Sequence, residues 1–365
     1  MKDLAALLAK FSNAHGLSGY EDAVASLLVD ELTPLTDEVR IDPIGNVIAT
    51  RAGDGPVVMV AAHMDEIGLM VKYIESEGFL RFVPVGGWFD QTLLSQRVFV
   101  HTRDGKMLPG VVGSKAPHIM DEEERKKPVK IKDMFIDIGA TSLADAQDMG
   151  AEVGSPVSPD RSLVRLGNGF VTGKALDNRA GVAMMVAAMG LLKGRKVKAT
   201  VHAVGTVQEE VGLKGARTSA YGLSPDVAIA TDVTITGDHP GVTRTERPIA
   251  AGDGPVITVI DANGRGIIVS RPVLRWLRGA AESASLPYQL DVGSGGNTDA
   301  TAIHLTKAGI PTGVISIATR YIHSPVEVLS LKDLESCTRL VAEAILTAHN
   351  HFQPCSRVTR RSPVR

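Results

Sequence analysis

The spacing of apolar positions changes along this chain, and each change marks an element. Leu4, Leu7, Leu8 and Phe11 recur at helical spacing. After a break at Gly16-Leu17-Ser18-Gly19, Val24, Leu27 and Leu28 do so again, with Ser18 placed to cap that second helix. Val39 to Ala49 reads as a strand, a turn and a strand. Pro56-Val57-Val58-Met59-Val60-Ala61-Ala62 is almost continuously apolar, the mark of a strand buried on both faces, and it runs into His63-Met64-Asp65-Glu66.

From about Leu69 to Leu166 the pattern becomes short alternating strands: Leu80 to Val85, Arg97 to His101 and Met134 to Ile138. One helix interrupts them near 143–149, and the charged run Asp121 to Lys127 reads as an exposed or mobile loop. Helical and apolar-strand texture then returns. A helix opens at Asp177, and a strand runs from Ala199 to Val207. A short helix follows near Gly215, and a strand from Val227 to Thr231 ends in Asp232. A helix near 272–284, a glycine-rich stretch from Gly293 to Asp299, a strand from Pro311 to Ile317 and a helix over about 331–351 complete the pattern. The fold class is therefore α/β. One discontinuous domain takes residues 1–69 and 166–352, a β-rich domain is inserted at 70–165, and 353–365 is a disordered basic tail. There is no internal repeat.

With 365 residues, 44% hydrophobic and 22% charged, the chain has the composition of a globular protein with a substantial core. A net charge of -2 gives no electrostatic case for nucleic acid or an anionic membrane. The two cysteines, Cys337 and Cys355, are too few for a disulfide framework. No apolar run has the length of a membrane span, and Met1-Lys2-Asp3-Leu4 lacks a signal-peptide core. These features predict a cytoplasmic protein.

The chemistry concentrates where apolar runs stop. His63 with Asp65, the adjacent pair Glu209-Glu210, Asp232 and His323 lie at strand ends or strand-helix junctions, and Asp177 lies at a helix start. In open α/β sheets such positions converge beyond the carboxyl ends of the strands. Taken singly, each has an ordinary reading. His63 is a core histidine, Asp177 a helix cap, Asp65 and Asp232 turn residues, and Glu209-Glu210 a solvated loop. Together they form a donor set of two imidazoles and several carboxylates, suited to two divalent cations, with Asp177 the candidate to bridge them. Neighbouring side chains leave a strand in different directions, so one glutamate can ligate while the other faces water; spacing does not say which.

The blocks Ala62-His63-Met64-Asp65-Glu66-Ile67-Gly68, Lys174-Ala175-Leu176-Asp177-Asn178-Arg179, Val207-Gln208-Glu209-Glu210-Val211-Gly212 and Arg320-Tyr321-Ile322-His323-Ser324-Pro325 resemble those of the tetrahedral (TET) aminopeptidases. These are the glutamyl and deblocking group of di-zinc metallopeptidases, some of whose members are labelled endoglucanases. The resemblance spans about residues 1–350, in order. It implies a mixed-sheet peptidase domain with helices on both faces and a PDZ-like inserted domain that drives oligomerisation. It also implies two divalent metals, zinc foremost, with cobalt or manganese as alternatives. One would be held by His63, Asp177 and Asp232, the other by Glu210, Asp177 and His323. Glu209 would be the general base, and Asp65 would orient His63. Substrates would be peptides with a free amino terminus, and the assembly a dodecamer built from dimers.

Ala62 departs from the glycine common at its place, and the Gly295 to Asp299 loop matches loosely. That loop reads either as a helix start capped by Asn297 or Thr298, or as a pocket wall offering backbone N–H groups. The basic tail Arg357 to Arg365 belongs to no family pattern. Two other functions stand beside an aminopeptidase. One is a related di-zinc deacylase or carboxypeptidase, which would require a different substrate terminus. The other is a non-catalytic assembly protein, which would tolerate loss of Glu209 or the ligands. A metal-independent glycosidase fits the residues poorly.

Overall fold

The computed structural model describes residues 3–354. The basic tail, from Cys355 on, lies outside the described residues. The strands in chain order are β1 (Glu38–Ile41), β2 (Val47–Arg51), β3 (Val57–His63), β4 (Gly68–Ile74), β5 (Leu80–Val85), β6 (Arg97–His101), β7 (Met107–Gly113), β8 (Phe135–Asp137) and β9 (Pro156–Pro159). They continue as β10 (Val164–Arg165), β11 (Phe170–Gly173), β12 (Thr200–Thr206), β13 (Val227–Ile235), β14 (Val256–Ile260), β15 (Gln289–Val292), β16 (Thr312–Arg320) and β17 (Glu327–Ser330).

A large mixed sheet runs in the order β1-β2-β12-β3-β13-β16-β17-β11-β10, with β14 and β15 branching from β16. Strands β12, β3, β13 and β16 are mutually parallel and form its centre. The apolar run of β3 is used on both sides. Val58, Val60 and Ala62 enter the larger core, while Met59 and Ala61 enter a second core on the opposite face. The helices Leu4–Asn13, Leu176–Leu192, Arg271–Ser283 and Leu331–Thr347 supply residues to the first core. Lys214–Leu223 and Asp299–Ile303 supply the second through Ala216, Ala220, Ala302 and Ile303. The sheet is thus covered by helices on both faces, as its near-continuous apolar strands require.

Strands β4 to β9 close into a separate antiparallel barrel in the order β4-β5-β8-β7-β6-β9. Alternate residues point inward, among them Leu69, Val71, Leu80, Phe82, Val98 and Val100, and form a core of their own. The expected PDZ-like unit is described here by a closed six-stranded barrel.

Several local expectations are corrected. Ser18 does not cap the second helix. That helix starts only at Asp22, with Glu21 in the cap position and no side-chain cap, and the Ser18 hydroxyl donates to Asp65 Oδ2 at 2.6 Å. The charged run at 121–127 contains a helical turn, Glu122–Arg125, closed by a reciprocal capping box between Asp121 and Glu124. Asp232 lies within β13 rather than at its end. The strand stays paired to β16 as far as Ile235, but its pairing with β3 stops at Ala230. Asp232 is left beside the end of the shorter strand.

Trp276 tests the helical layer. It is fully buried, its Nε1 donates to Ala344 O at 2.9 Å, and its ring stands edge-on to Phe352. Trp276→Ala leaves a large void and removes one of the donors to the Ala344 carbonyl, and a loss of about 3–5 kcal/mol is expected by urea unfolding.

Candidate active site

The register of the central strands gathers the site. Thr206, last residue of β12, lies opposite His63, last residue of β3. Glu209 and Glu210 therefore emerge beside His63. Gln208 turns the chain there with φ of 55°, a conformation uncommon for a residue with a Cβ. Asp177 enters from the far side, just after β11. His323 enters from the turn after β16 and carries φ of 61°.

All seven expected residues are brought together. His63 Nε2 stands 3.1 Å from Asp177 Oδ1, 3.9 Å from Glu209 Oε2 and 4.0 Å from Asp232 Oδ1. His323 Nε2 stands 3.4 Å from Asp177 Oδ2 and 3.2 Å from Glu210 Oε2. The two oxygens of Asp177 thus face different histidines, and the adjacent glutamates diverge towards different histidines as well. Ligand-type atoms of His63, Asp177 and Glu210 lie within 4.8 Å of one another, as do those of His63, Glu209 and Asp232.

Asp65 does more than face His63, whose Nδ1 is 3.4 Å from its Oδ1. Its carboxylate also accepts the backbone N–H of Glu209 at 3.0 Å and of Glu210 at 3.1 Å. One fully buried carboxylate therefore ties the end of β3 to the glutamate pair.

The electrostatics show what the donor set can hold. Burial raises Glu209 and Asp232 well above the carboxylate range; His63 opposes this in both, while Asp232 and Glu210 push Glu209 further up, as Asp177 does Asp232. Burial alone would lower the histidines. Hydrogen bonds that the His323 ring donates to Asp177 and Glu210 reverse this and push His323 up to about 11. Glu209, the Asp177 and Glu210 charges and Asp232 have only these imidazoles as positive partners among the described residues. A buried cluster of carboxylates without lysine or arginine is costly, and its nitrogen and oxygen donors fit divalent cations.

The sequence reading gave no role to several residues that build this site. Glu66, buried beside Asp65, binds Lys174 Nζ through both oxygens at 2.8 Å, and Arg179 Nη2 is 3.5 Å away. Arg179 also donates to the carbonyls of Phe11 and Ala14. Glu327 accepts the backbone N–H groups of Asp177 and His323. Thr298 caps its short helix, while buried Asp299 accepts the Thr206 hydroxyl and is pushed up to about 6 by burial. A charged residue between apolar neighbours, Val326 and Val328, was the available signal for Glu327. From the barrel, Gly86 and Gly87 lie against the site. A Cβ on Gly87 would fall 3.0 Å from His323 Nδ1.

Residues 45–340 match the model of the M42 glutamyl aminopeptidase family. An aminopeptidase from the archaeon Desulfurococcus kamchatkensis is 46% identical, with a TM-score of 0.90 over 94% of each chain. The TET1 peptidase of Pyrococcus horikoshii, described as assembling into a tetrahedron or a large octahedral shell, is 33% identical. Its TM-score is 0.85 over 94% of this chain and 99% of that one. The lysyl aminopeptidase of Pyrococcus furiosus is 35% identical over 93% of this chain and 96% of its own. With this coverage and these site residues, the chain belongs to the M42 aminopeptidase family and is a peptide-bond hydrolase.

Proposed function

We propose that this enzyme removes the amino-terminal residue of peptides, with Glu209 as general base. His63, Asp177 and Asp232 would hold one divalent cation, and Glu210, Asp177 and His323 the other. The observation that carries the reading is the posture of Asp177, whose Oδ1 is 3.1 Å from His63 Nε2 and whose Oδ2 is 3.4 Å from His323 Nε2. A carboxylate presented this way is suited to sharing two cations. Zinc is the metal of choice for such nitrogen and oxygen donors, and cobalt or manganese accept them too.

When bound, the cations supply Lewis acidity, polarising the scissile carbonyl and acidifying a water. Glu209 takes a proton from the attacking water at a carboxylate oxygen. As the carbon–oxygen bond forms and the carbon–nitrogen bond breaks, Glu209 returns that proton to the leaving amine. Asp65 keeps Glu209 in place through its backbone N–H. A free substrate amine would bind one of the cations or a neighbouring carboxylate. The division of labour between Glu209 and Glu210 comes from the family likeness, since Glu209 approaches His63 as closely as Asp232 does. The likeness to the TET1 peptidase further supports assembly into a closed homo-oligomeric shell, with the β4–β9 barrel as an interface-forming insert.

Glu209→Gln keeps the shape of the side chain and removes the proton acceptor. It should lose about 10²–10⁴-fold in kcat while its metal content, by plasma mass spectrometry, stays that of the wild type. Near-normal turnover would remove Glu209 from the role of base.

A panel of aminoacyl-p-nitroanilides, assayed before chelation, after it and after restoring zinc or cobalt, tests the substrate. Metal-dependent release from free substrates and none from N-acetylated ones is expected. No release from any of them, with metal confirmed in the site, would point instead to a deacylase-type substrate, tested next with N-acyl amino acids.

Light scattering tests assembly. A dodecamer should show twelve times the chain mass of 38.6 kDa; a monodisperse dimer would exclude it.

A further inference from the structure

We infer that Glu327 is a positioning residue of the metal centre, fixing Asp177 and His323 relative to one another through their backbones. Its Oε2 accepts the N–H of Asp177 at 2.8 Å, and its Oε1 accepts the N–H of His323 at 3.0 Å. The inference rests on the reading of these two residues as ligands.

Strand register explains how one side chain reaches both. Glu327 opens β17 and lies opposite Gly173, the last residue of β11. Asp177 follows Gly173 by the same number of residues that separate His323 from Glu327. The carboxylate therefore stands between two chain segments that leave one antiparallel pair, and it bonds to each. Both segments need holding. Ala175 and His323 have φ of 54° and 61°, which residues with a Cβ adopt only when their surroundings impose it. Glu327 is itself buried, with 2% of its surface exposed, and it forms no ion pair with lysine or arginine among the described residues. A buried carboxylate kept at that cost has both oxygens committed to backbone N–H groups of site residues.

A glutamate is the natural choice for this task. It presents two acceptor oxygens and no donor, so it matches two N–H groups at once. A glutamine of the same shape offers one acceptor and opposes the second N–H with its own amide. An alanine frees both segments.

The test compares Glu327→Gln, Glu327→Ala and His323→Ala with the full-length wild type. Cobalt is titrated into the apo-proteins, following the visible d–d absorption, with melting temperature and the separate values of kcat and KM as companions. Loss of a support of this kind typically weakens metal binding about 10–100-fold. The second cobalt equivalent should bind at the weak end of that range in Glu327→Ala and near 10-fold weaker in Glu327→Gln. Its spectrum should change, and the first equivalent should weaken less, since Asp177 serves both sites and His323 only one. In Glu327→Gln, which preserves packing, kcat should fall with little change in KM and in melting temperature.

Wild-type cobalt affinity and spectrum in both Glu327 variants, with His323→Ala altered, would overturn the role of Glu327 and leave the ligand assignment standing. An unaltered cobalt titration in His323→Ala would overturn the ligand assignment itself. A fall in melting temperature in Glu327→Gln without any change in its cobalt spectrum would reduce Glu327 to a structural residue.

Discussion

Glu66 and Glu209 are both buried beyond the carboxyl edge of the same sheet, and the chain treats them in opposite ways. Glu66 is given Lys174 and Arg179 as partners. Burial works to raise its carboxyl, and the charges of Lys174 and Arg179 override that and hold it below the usual range. Among the described residues, Glu209, Glu210, Asp177 and Asp232 receive only two imidazoles. Removing an ion from water costs several kcal/mol unless a counter-charge replaces the lost hydration. A chain able to compensate one buried carboxylate with two cations, and leaving its neighbours without any, has reserved those neighbours for positive charge from elsewhere. Most of the surrounding architecture follows from keeping that uncompensated cluster intact.

The support comes in two layers. The parallel strands set the level of the groups, because Thr206 is paired with His63 and Asp232 lies just past the point where β13 leaves β3. Buried ionic side chains then lock the loops. Asp65 holds the backbone of both glutamates. The Glu66, Lys174 and Arg179 group ties the loop after β3 to the segment around Asp177 and to the carboxyl end of the first helix. Strands set the spacing and buried charges set the orientation, so the loops can carry unfavourable backbone angles at Gln208 and His323.

Much of this was readable in the amino-acid sequence because the site residues interrupt strong apolar runs. His63 stops β3, and Glu209-Glu210 follow an apolar strand, so the clash of patterns exposed them. The buried strands β3, β12 and β16 were legible for the same reason. Strands β11, β14, β15 and β17 were not, since each is a few residues long and its apolar positions have no sustained period. Glu327 and Ser18 escaped because their work is done through contacts between distant segments. Ser18 carried a local signal for a helix cap, but the helix begins only at Asp22, and the Ser18 hydroxyl goes to the buried carboxylate of Asp65. Barrel closure depends on which strands pair, and six alternating strands are equally compatible with an open sheet.

The barrel is inserted directly after His63 and Asp65, and this placement has a chemical consequence. Strand β4 leads away from the site at Gly68, and the turn after β5 leads back to it. Trp88 Nε1 donates to Gly68 O at 2.9 Å, pinning the returning turn to the strand that departs. That pin holds Gly86 against Ile67 and Glu210, and Gly87 against the ring of His323. Gly86 has φ of 77° and a Cβ there would fall 2.4 Å from Ile67 Cγ2, while one on Gly87 would fall 3.0 Å from His323 Nδ1 and make the ring give way. An insert whose only task was contact between subunits could be attached at any surface loop. This one is spliced between two strand ends of the metal-binding cluster and packs its own backbone on one of the histidines. The barrel therefore lends the backbone of Gly86 and Gly87 to the surroundings of Glu210 and His323, as well as enclosing a core of its own.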